Sequence, residues 1–341
     1  MRVLVVGGTG FIGGHVARAF RGRGDEVTAL VRDLARARSD ARLQGARLVQ
    51  GTALAQEELP AQDVIVYAAG AWLPNDTAPQ PEIERRSREV YVDNVSVLAE
   101  AARRWGAHFI FMSGTSRYGF IEAKAVAEDT PPVNLSVFGF YKRQAEATLA
   151  STPGLRWTAV TPPEVYGARD PGSYLTFVYE RVRARRFFLI GRGDNRWSLC
   201  NVQNVADAIV AVAPGDGHGV LNISDARPWT QRELATAVAK ALGRAPIFPR
   251  LPRSLVLAAA TLAARIPGAG PRLTPNHVRV RTCDILLDTS KATRLGIVPH
   301  AGLAEGVVEA VRWWERQRFS VYQFSPDRGV TGAVRGSPKS S

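Results

Sequence analysis

Cysteine is almost missing from this sequence: Cys200 and Cys283 are its only two in 341 residues. Two thiols that far apart make neither a disulfide framework nor a metal cluster by count, and they suit a reducing, cytoplasmic location. Long apolar runs are missing as well. No stretch reaches the roughly 18 residues of a membrane span. The nearest, Ser254 to Ile266, is shorter and carries Arg265, so it reads as a buried or groove-lining helix and no stable membrane insertion is expected. The N-terminal VLVV breaks at once into GGTGFIGG, without the charged region and cleavage site of a secretory leader. His15, His108, His218, His277 and His300 are scattered, with no HExxH or His/Cys grouping, so no metal is expected. Acidic residues are the scarcer charge, and the net charge is +13. The basic residues are overwhelmingly arginine and spread along the chain, with no basic stripe interleaved with aromatics. Nucleic acid is therefore not expected as a partner.

What is present is a regular alternation. Short β-branched runs at Arg2–Val6, Glu26–Val31, Arg47–Gln50, Val64–Ala68, His108–Met112 and Trp157–Thr161 enclose helical patterns at Phe11–Gly22, Val90–Trp105 and Val137–Leu149. That order predicts an α/β fold, a doubly wound parallel (Rossmann) sheet binding its ligand at the carboxyl ends of the strands. After Pro162 helices dominate: Tyr174–Ala184, Val205–Ala213, Gln231–Leu242 and Leu303–Arg318. We expect residues 1–165 to form the cofactor domain and 166–319 a smaller, mostly helical substrate-binding region, interleaved in part with the sheet. Residues 320–341 lack periodicity and read as a disordered tail.

The first strand runs into Gly7-x-x-Gly10-x-x-Gly13 and then an amphipathic helix. A dinucleotide site needs one glycine for the tight turn, one for close approach of the pyrophosphate and one for helix-on-strand packing. Gly7, Thr9, Gly10, Phe11, Ile12 and Gly13 are the expected cradle, with the helix N-terminus facing the diphosphate. Strand, turn and helix all stand in place, which lifts the pattern above a chance run of glycines.

This spacing, with TGFIG inside it, resembles the extended branch of the short-chain dehydrogenase/reductase family. So do the AAG after Tyr67, the Asn94 helix, SGTSRYG, PPEVYG and LDTSKATRLGIVPHAGLAEGV, together covering roughly residues 1 to 317. The nearest pattern is that of 3β-hydroxysteroid dehydrogenase-like and dihydroflavonol reductase-like members of the NAD(P)-dependent epimerase/dehydratase superfamily. The resemblance implies an NAD(P)-dependent enzyme acting on a small-molecule substrate as a homodimer. It also adds Ala68, Ala69, Gly70, Asn94, Lys142, Pro162 and Val165 to the cofactor contacts.

Selectivity for NAD requires an acidic residue at the end of the second strand. Val31 stands there and Arg32 follows; a guanidinium pairs with a 2′-phosphate, so NADP is expected rather than NAD. Asp33 either opposes this or caps the helix that starts at Leu34.

Members of the family carry Tyr-x-x-x-Lys on one helix, the lysine lowering the tyrosine pKa and the tyrosine exchanging the substrate proton. Aligning "SVFGFYKRQAEATL" places Lys142 at the lysine and Phe138 at the tyrosine, and no Tyr-x-x-x-Lys occurs elsewhere. The family's hydroxyl position falls on Gly114, flanked by Ser113 and Thr115. Where family dehydratases carry Asp-Glu, this chain has Thr115 and Ser116, which argues against dehydration. Tyr141 is a candidate replacement acid, as are Tyr118, Tyr166 and Glu164. Where nucleotide-sugar epimerases carry a diphosphate-gripping arginine, this chain has Trp197 beside Arg196. Trp197, Trp72, Phe120 and Tyr174 suit a moderately hydrophobic substrate. The expected activity is oxidoreduction or epimerisation at a secondary alcohol or ketone, with a non-standard proton donor. The alternative is a cofactor-binding protein without redox turnover, or a non-redox isomerase or cyclase.

Overall fold

The computed structural model describes residues 1–52, 59–71, 80–119, 125–263, 265 and 275–317, the side chains of residues 276 and 277 excepted. In chain order the strands are β1 (Arg2–Val6), β2 (Glu26–Val31), β3 (Arg47–Gln50), β4 (Val64–Tyr67), β5 (His108–Met112) and β6 (Arg156–Thr161). Shorter ones follow: β7 (Glu164–Tyr166), β8 (Leu189–Ile190), β9 (Arg196–Trp197), β10 (Leu199–Asn201), β11 (Gly219–Asn222), β12 (Trp229–Thr230) and β13 (Arg250–Leu251). The helices are α1 (Phe11–Arg23), α2 (Leu34–Arg38), α3 (Gln80–Arg88), α4 (Asn94–Trp105), α5 (Val137–Ser151) and α6 (Tyr174–Arg183). After them come α7 (Val202–Val212), α8 (Gln231–Ala241), α9 (Arg253–Ala263), α10 (Pro275–Val280), α11 (Ser290–Arg294) and α12 (Leu303–Gln317).

Seven strands build one parallel sheet in the order β11-β6-β5-β4-β1-β2-β3. Helices cover both faces, so the central strands bury both sides and their sequences are continuous apolar runs rather than alternations. Val3 to Val5 are wholly buried. Beneath α1 and α7, one face packs Val16, Phe20, Val205 and Ile209 on Val3 and Val5. The opposite face packs Leu98, Ala102, Ala145 and Leu149 from α4 and α5 on Leu4 and Phe109. A third core, under α6, α8 and α12, centres on fully buried Trp314, whose ring lies 4.7 Å from that of Tyr179.

The strand order reverses between β1 and β4, the point at which doubly wound sheets take ligands at the carboxyl ends of their strands. Register brings the loops together, since Val6 pairs with Leu30 on one side and with Tyr67 on the other.

Three elements depart from the sequence reading. The helix expected from Val90 is preceded by α3 and enters α4 through a π-helical segment, Glu89–Asp93. One added residue in a turn leaves apolar periodicity almost unchanged, which hides it from a sequence. Helix α7 begins at Val202 rather than Val205, because the Asn201 side chain caps it by accepting from Gln203 N (2.9 Å). The strand expected to reach Ala68 ends at Tyr67, although Ala68 N still donates to Val6 O (2.9 Å). Beyond these, β11 joins the sheet beside β6 and α7 packs on α1, so residues 202–222 share the cofactor half of the molecule. Trp72, Phe120 and the segment 320–341 lie outside the described residues.

Candidate functional site

The glycine turn between β1 and α1 is shaped by contacts that a side chain would destroy. Gly7 has φ of 86°, and a Cβ on it would lie 2.8 Å from Ala69 N. A Cβ on Gly13 would lie 2.3 Å from Gly7 O, so α1 seats directly on the turn. Gly10 caps α1 without any side-chain hydrogen bond, and no acidic residue occupies the first turn. The leading N–H groups, those of Phe11, Ile12 and Gly13, therefore keep their orphan donors and the positive end of the helix dipole. Thr9 is half-buried on the same turn. Ala68, Ala69 and Gly70 continue from β4 across this turn. A dinucleotide diphosphate fits this cradle: close-approach glycines, free donors and no competing carboxylate.

A network that the sequence did not disclose braces the cradle. Arg42 donates to Phe11 O (2.9 Å) and pairs with Asp40 (2.7 Å), and Asp40 also holds Arg169 (2.9 Å). His15 Nε2 bonds Ala168 O (3.0 Å), and the ring is held neutral, its pKa drawn down to about 4 by burial and by the Arg42 charge. Apart from Asp40 and Arg42, these partners lie far apart in the chain, so no local spacing announced them.

At the end of β2, Arg32 is exposed and its carbonyl accepts from Gln50 Nε2 (3.2 Å). Asp33 turns away, accepting from Arg36 N (3.0 Å) as the cap of α2. The carboxylate next to Arg32 thus has a structural task.

Helix α5 is capped by Ser136, which accepts from Gly139 N (3.1 Å). A Cβ on Gly139 would lie 2.1 Å from Ser116 O, so glycine lets α5 press against the turn after β5. Lys142 reaches across that contact to donate to Ser113 O (2.7 Å), and its ammonium stands over the Tyr91 ring, 5.9 Å from the centroid. Burial lowers its pKa to about 8, against the opposing pull of Glu146. Phe138, one turn earlier, is half-buried against the core shared by β4 and β5. Tyr141 packs on the same core, edge-on to Phe140 at 5.2 Å.

The two hydroxyls beside Gly114 part company. Ser113 Oγ is buried and donates to Glu146 Oε1 (2.6 Å), next to the Arg117–Glu146 ion pair (2.8 Å). Thr115 is half-buried, its N–H donating to Pro162 O (3.2 Å), and its hydroxyl makes no hydrogen bond among the described residues. A Cβ on Gly114 would lie 3.0 Å from Lys142 Nζ, so the missing side chain lets the ammonium come close to the backbone there. Asn94 begins α4 next to Tyr67, whose hydroxyl donates to Val90 O (2.5 Å). Val165 on β7 packs into the core under α1 and α7.

Of the other acid candidates, Tyr118 donates to Asn222 Oδ1 and Tyr166 to Asp225 Oδ2, both at 2.7 Å, so both phenols brace the fold. Glu164 is exposed, and its carboxylate accepts from Tyr174 N (2.6 Å). Of the aromatics expected from sequence to suit a hydrophobic substrate, Trp197 and Tyr174 come together in an aromatic wall, while Trp72 and Phe120 lie outside the described residues. Trp197 meets Tyr174 at 4.7 Å, Tyr174 stacks on Phe177 at 5.8 Å, and Arg281 covers Phe177 at 4.5 Å. Arg196 is spent on Asp284 (3.0 Å), whereas Arg281 pairs with no carboxylate among the described residues. Arg281 lies far downstream of Tyr174 and Phe177, and only folding brings it onto their rings.

Residues 3–224 match the NAD dependent epimerase/dehydratase family. Among curated proteins, a Stigmatella aurantiaca 4-hydroxy-2-methyl-3-oxo-4-farnesyl-3,4-dihydroquinoline-1-oxide ketoreductase is 27% identical, covering 86% of this chain and 90% of that protein. An epimerase family protein of Mus musculus is 30% identical over 76% of this chain and 86% of its own length. Among solved structures, UDP-glucose 4-epimerase of Thermotoga maritima with UDP-glucose superposes with a TM-score of 0.70 at 22% identity, covering 94% of this chain and 100% of that one.

Proposed function

The chain belongs to the NAD-dependent epimerase/dehydratase family, and from that premise we propose that it is an NADP(H)-dependent reductase of a ketone on a small, moderately hydrophobic molecule. It is an enzyme with the extended short-chain dehydrogenase/reductase fold. The observation that supports the finer reading is a glycine turn with free helix N–H donors and Lys142 seated on the turn after β5, in a chain that has Trp197 where a diphosphate clamp would need a guanidinium. An indole offers packing area and a single N–H, and that N–H already donates to Cys283 O (3.1 Å). A nucleotide-sugar diphosphate is therefore poorly served on that side.

Arg32 supports NADP(H). It stands exposed where the adenosine ribose would lie, and its acidic neighbour is turned into the α2 cap. Relatives point to the same chemistry by name, including the Stigmatella ketoreductase and a ceramide reductase of Caulobacter vibrioides, 27% identical over 92% of this chain. The bound nicotinamide supplies the hydride. The cradle N–H groups hold the diphosphate, Lys142 orients the nicotinamide ribose through its remaining N–H donors, and Thr115 offers a hydroxyl to the substrate oxygen.

Purified protein is expected to bind NADPH at least about tenfold tighter than NADH, a difference of about 1.4 kcal/mol, and to oxidise NADPH in the presence of hydrophobic ketones. Arg32→Asp should reverse the preference. Fluorescence titration with both cofactors checks this, and an unaltered preference in the variant would reject the assignment of Arg32.

A further inference from the structure

With Phe138 at the usual position of the acid, the phenols of the described residues are the natural place to look for its replacement. Most are committed as donors: Tyr67 to Val90 O, Tyr118 to Asn222, Tyr166 to Asp225 and Tyr179 to Glu315. Tyr174 belongs to the aromatic wall, and Tyr141 lies edge-on to exposed Phe140. Tyr91 is different. It is 95% buried, at 5% relative exposure, and its oxygen accepts from Ala71 N (3.3 Å). Its O–H donates to no acceptor among the described residues, although burying an unspent donor costs free energy.

Its surroundings are those of the cofactor site. Ala71 directly follows the Ala68–Gly70 segment that crosses the glycine turn, and a Cβ on Gly70 would lie 4.0 Å from Tyr91 Oη. Across the ring stands the Lys142 ammonium at 5.9 Å, the one described aromatic contact that this cation makes. Phe111 closes a third side edge-on at 6.3 Å. Tyr91 occupies the middle of the π-helical segment, which packs against α5. A π-helical insertion rotates the residues that follow and re-aims the side chain it carries, and such insertions recur at functional sites.

We infer that Tyr91 is the proton-exchange residue, forming with Lys142 a tyrosine–lysine pair divided between two helices instead of sharing one. This rests on the reductase reading above. During reduction the carbonyl carbon gains the hydride supplied by the bound nicotinamide, and the C=O π pair moves onto oxygen. That oxygen takes the Tyr91 proton as the phenol O–H bond breaks. The phenolate is left with the Lys142 ammonium 5.9 Å from its ring centroid, a positive charge that stabilises it until solvent returns a proton. The ketone is reduced, the nicotinamide is oxidised, and one solvent proton is consumed. Burial raises the phenol pKa, which keeps Tyr91 protonated until a charge develops beside it.

Tyr91→Phe keeps the ring and its packing, so it isolates the hydroxyl. The variant is expected to bind NADPH like wild type and to lose turnover by about a hundredfold or more, the scale of a general acid. Adding Phe138→Tyr to it should restore at least about tenfold, since the second phenol would stand one turn from Lys142. A readout free of turnover is the 13Cζ NMR signal of labelled tyrosine, assigned to Tyr91 by its absence in Tyr91→Phe. That signal should move when NADPH is added. Wild-type turnover in Tyr91→Phe, or a Tyr91 signal indifferent to NADPH, overturns the inference alone. A wild-type protein that binds NADPH but reduces no ketone overturns the functional reading and this inference with it.

Discussion

Lys142 spends one of its three donors on Ser113 O and sits in a slot that burial makes costly for a cation, with a pKa of about 8. In the unfolded chain a lysine titrates near 10.5. Below pH 8 both states are protonated and the folded state carries the full cost of the buried charge. Between pH 8 and 10.5 the unfolded state binds more protons, so stability rises with pH there. The cost is at most about 3 kcal/mol. Lys142→Met is therefore expected to be more stable than wild type at pH 7 while binding cofactor more weakly. Its advantage should shrink between pH 8 and 10.5, as urea unfolding across that range would show. An advantage independent of pH would mean that the ammonium is solvated. At this scale the glycines and Lys142 were legible from the sequence, because their roles depend on spacing within one turn. Tyr91 was not, because its partner stands on another helix and the π-helical insertion that aims it leaves no mark in composition.

The elements are held in place by polar contacts as much as by apolar faces. Arg117 and Glu146 are each 7% exposed at the side chain, and Glu146 also accepts from Ser113 Oγ. The pair ties α5 to the turn after β5, the contact across which Lys142 reaches. Removing one partner of a buried ion pair leaves a desolvated charge, which costs about 3–5 kcal/mol, whereas replacing both by apolar residues is often near neutral. Glu146→Leu alone should lower stability by that amount, and Arg117→Met added to it should recover most of the loss in chemical denaturation. Equal damage from the single and double variants would show that shape, not charge, holds this joint. The helices and long strands followed from apolar periodicity. The contacts between them did not, since Arg117 and Glu146 look like ordinary surface charges in a sequence.

For the molecule as a whole, the doubly wound order was legible because each βαβ unit is local. Two features were out of reach: β11 enters the sheet only after a long excursion through the helical region, and Arg281 meets the Trp197 wall from far downstream. The same long-range closure buries two histidines. His108 is fully buried in the sheet, its Nε2 on Thr158 Oγ1 (2.9 Å) and its Nδ1 on Ala213 O (3.2 Å). Burial lowers its pKa from 6.5 to about 4, as it does for His15 under the glycine turn. Between pH 6.5 and 4 the unfolded chain binds protons that the folded protein refuses, so stability falls as pH drops through that window, by up to about 3 kcal/mol for each histidine. Asp40 and Asp25, held below 3.8 by their arginine partners, add to the loss only at lower pH. Buried Asp170 and Asp225, with raised pKa values, oppose it. A comparison of wild type with His108→Gln cancels those shared contributions. The variant should be the less stable protein at pH 7.5, where it loses packing, and the gap should narrow steadily toward pH 4.5. Parallel stability profiles for the two proteins would show that His108 titrates alike in the folded and unfolded chain.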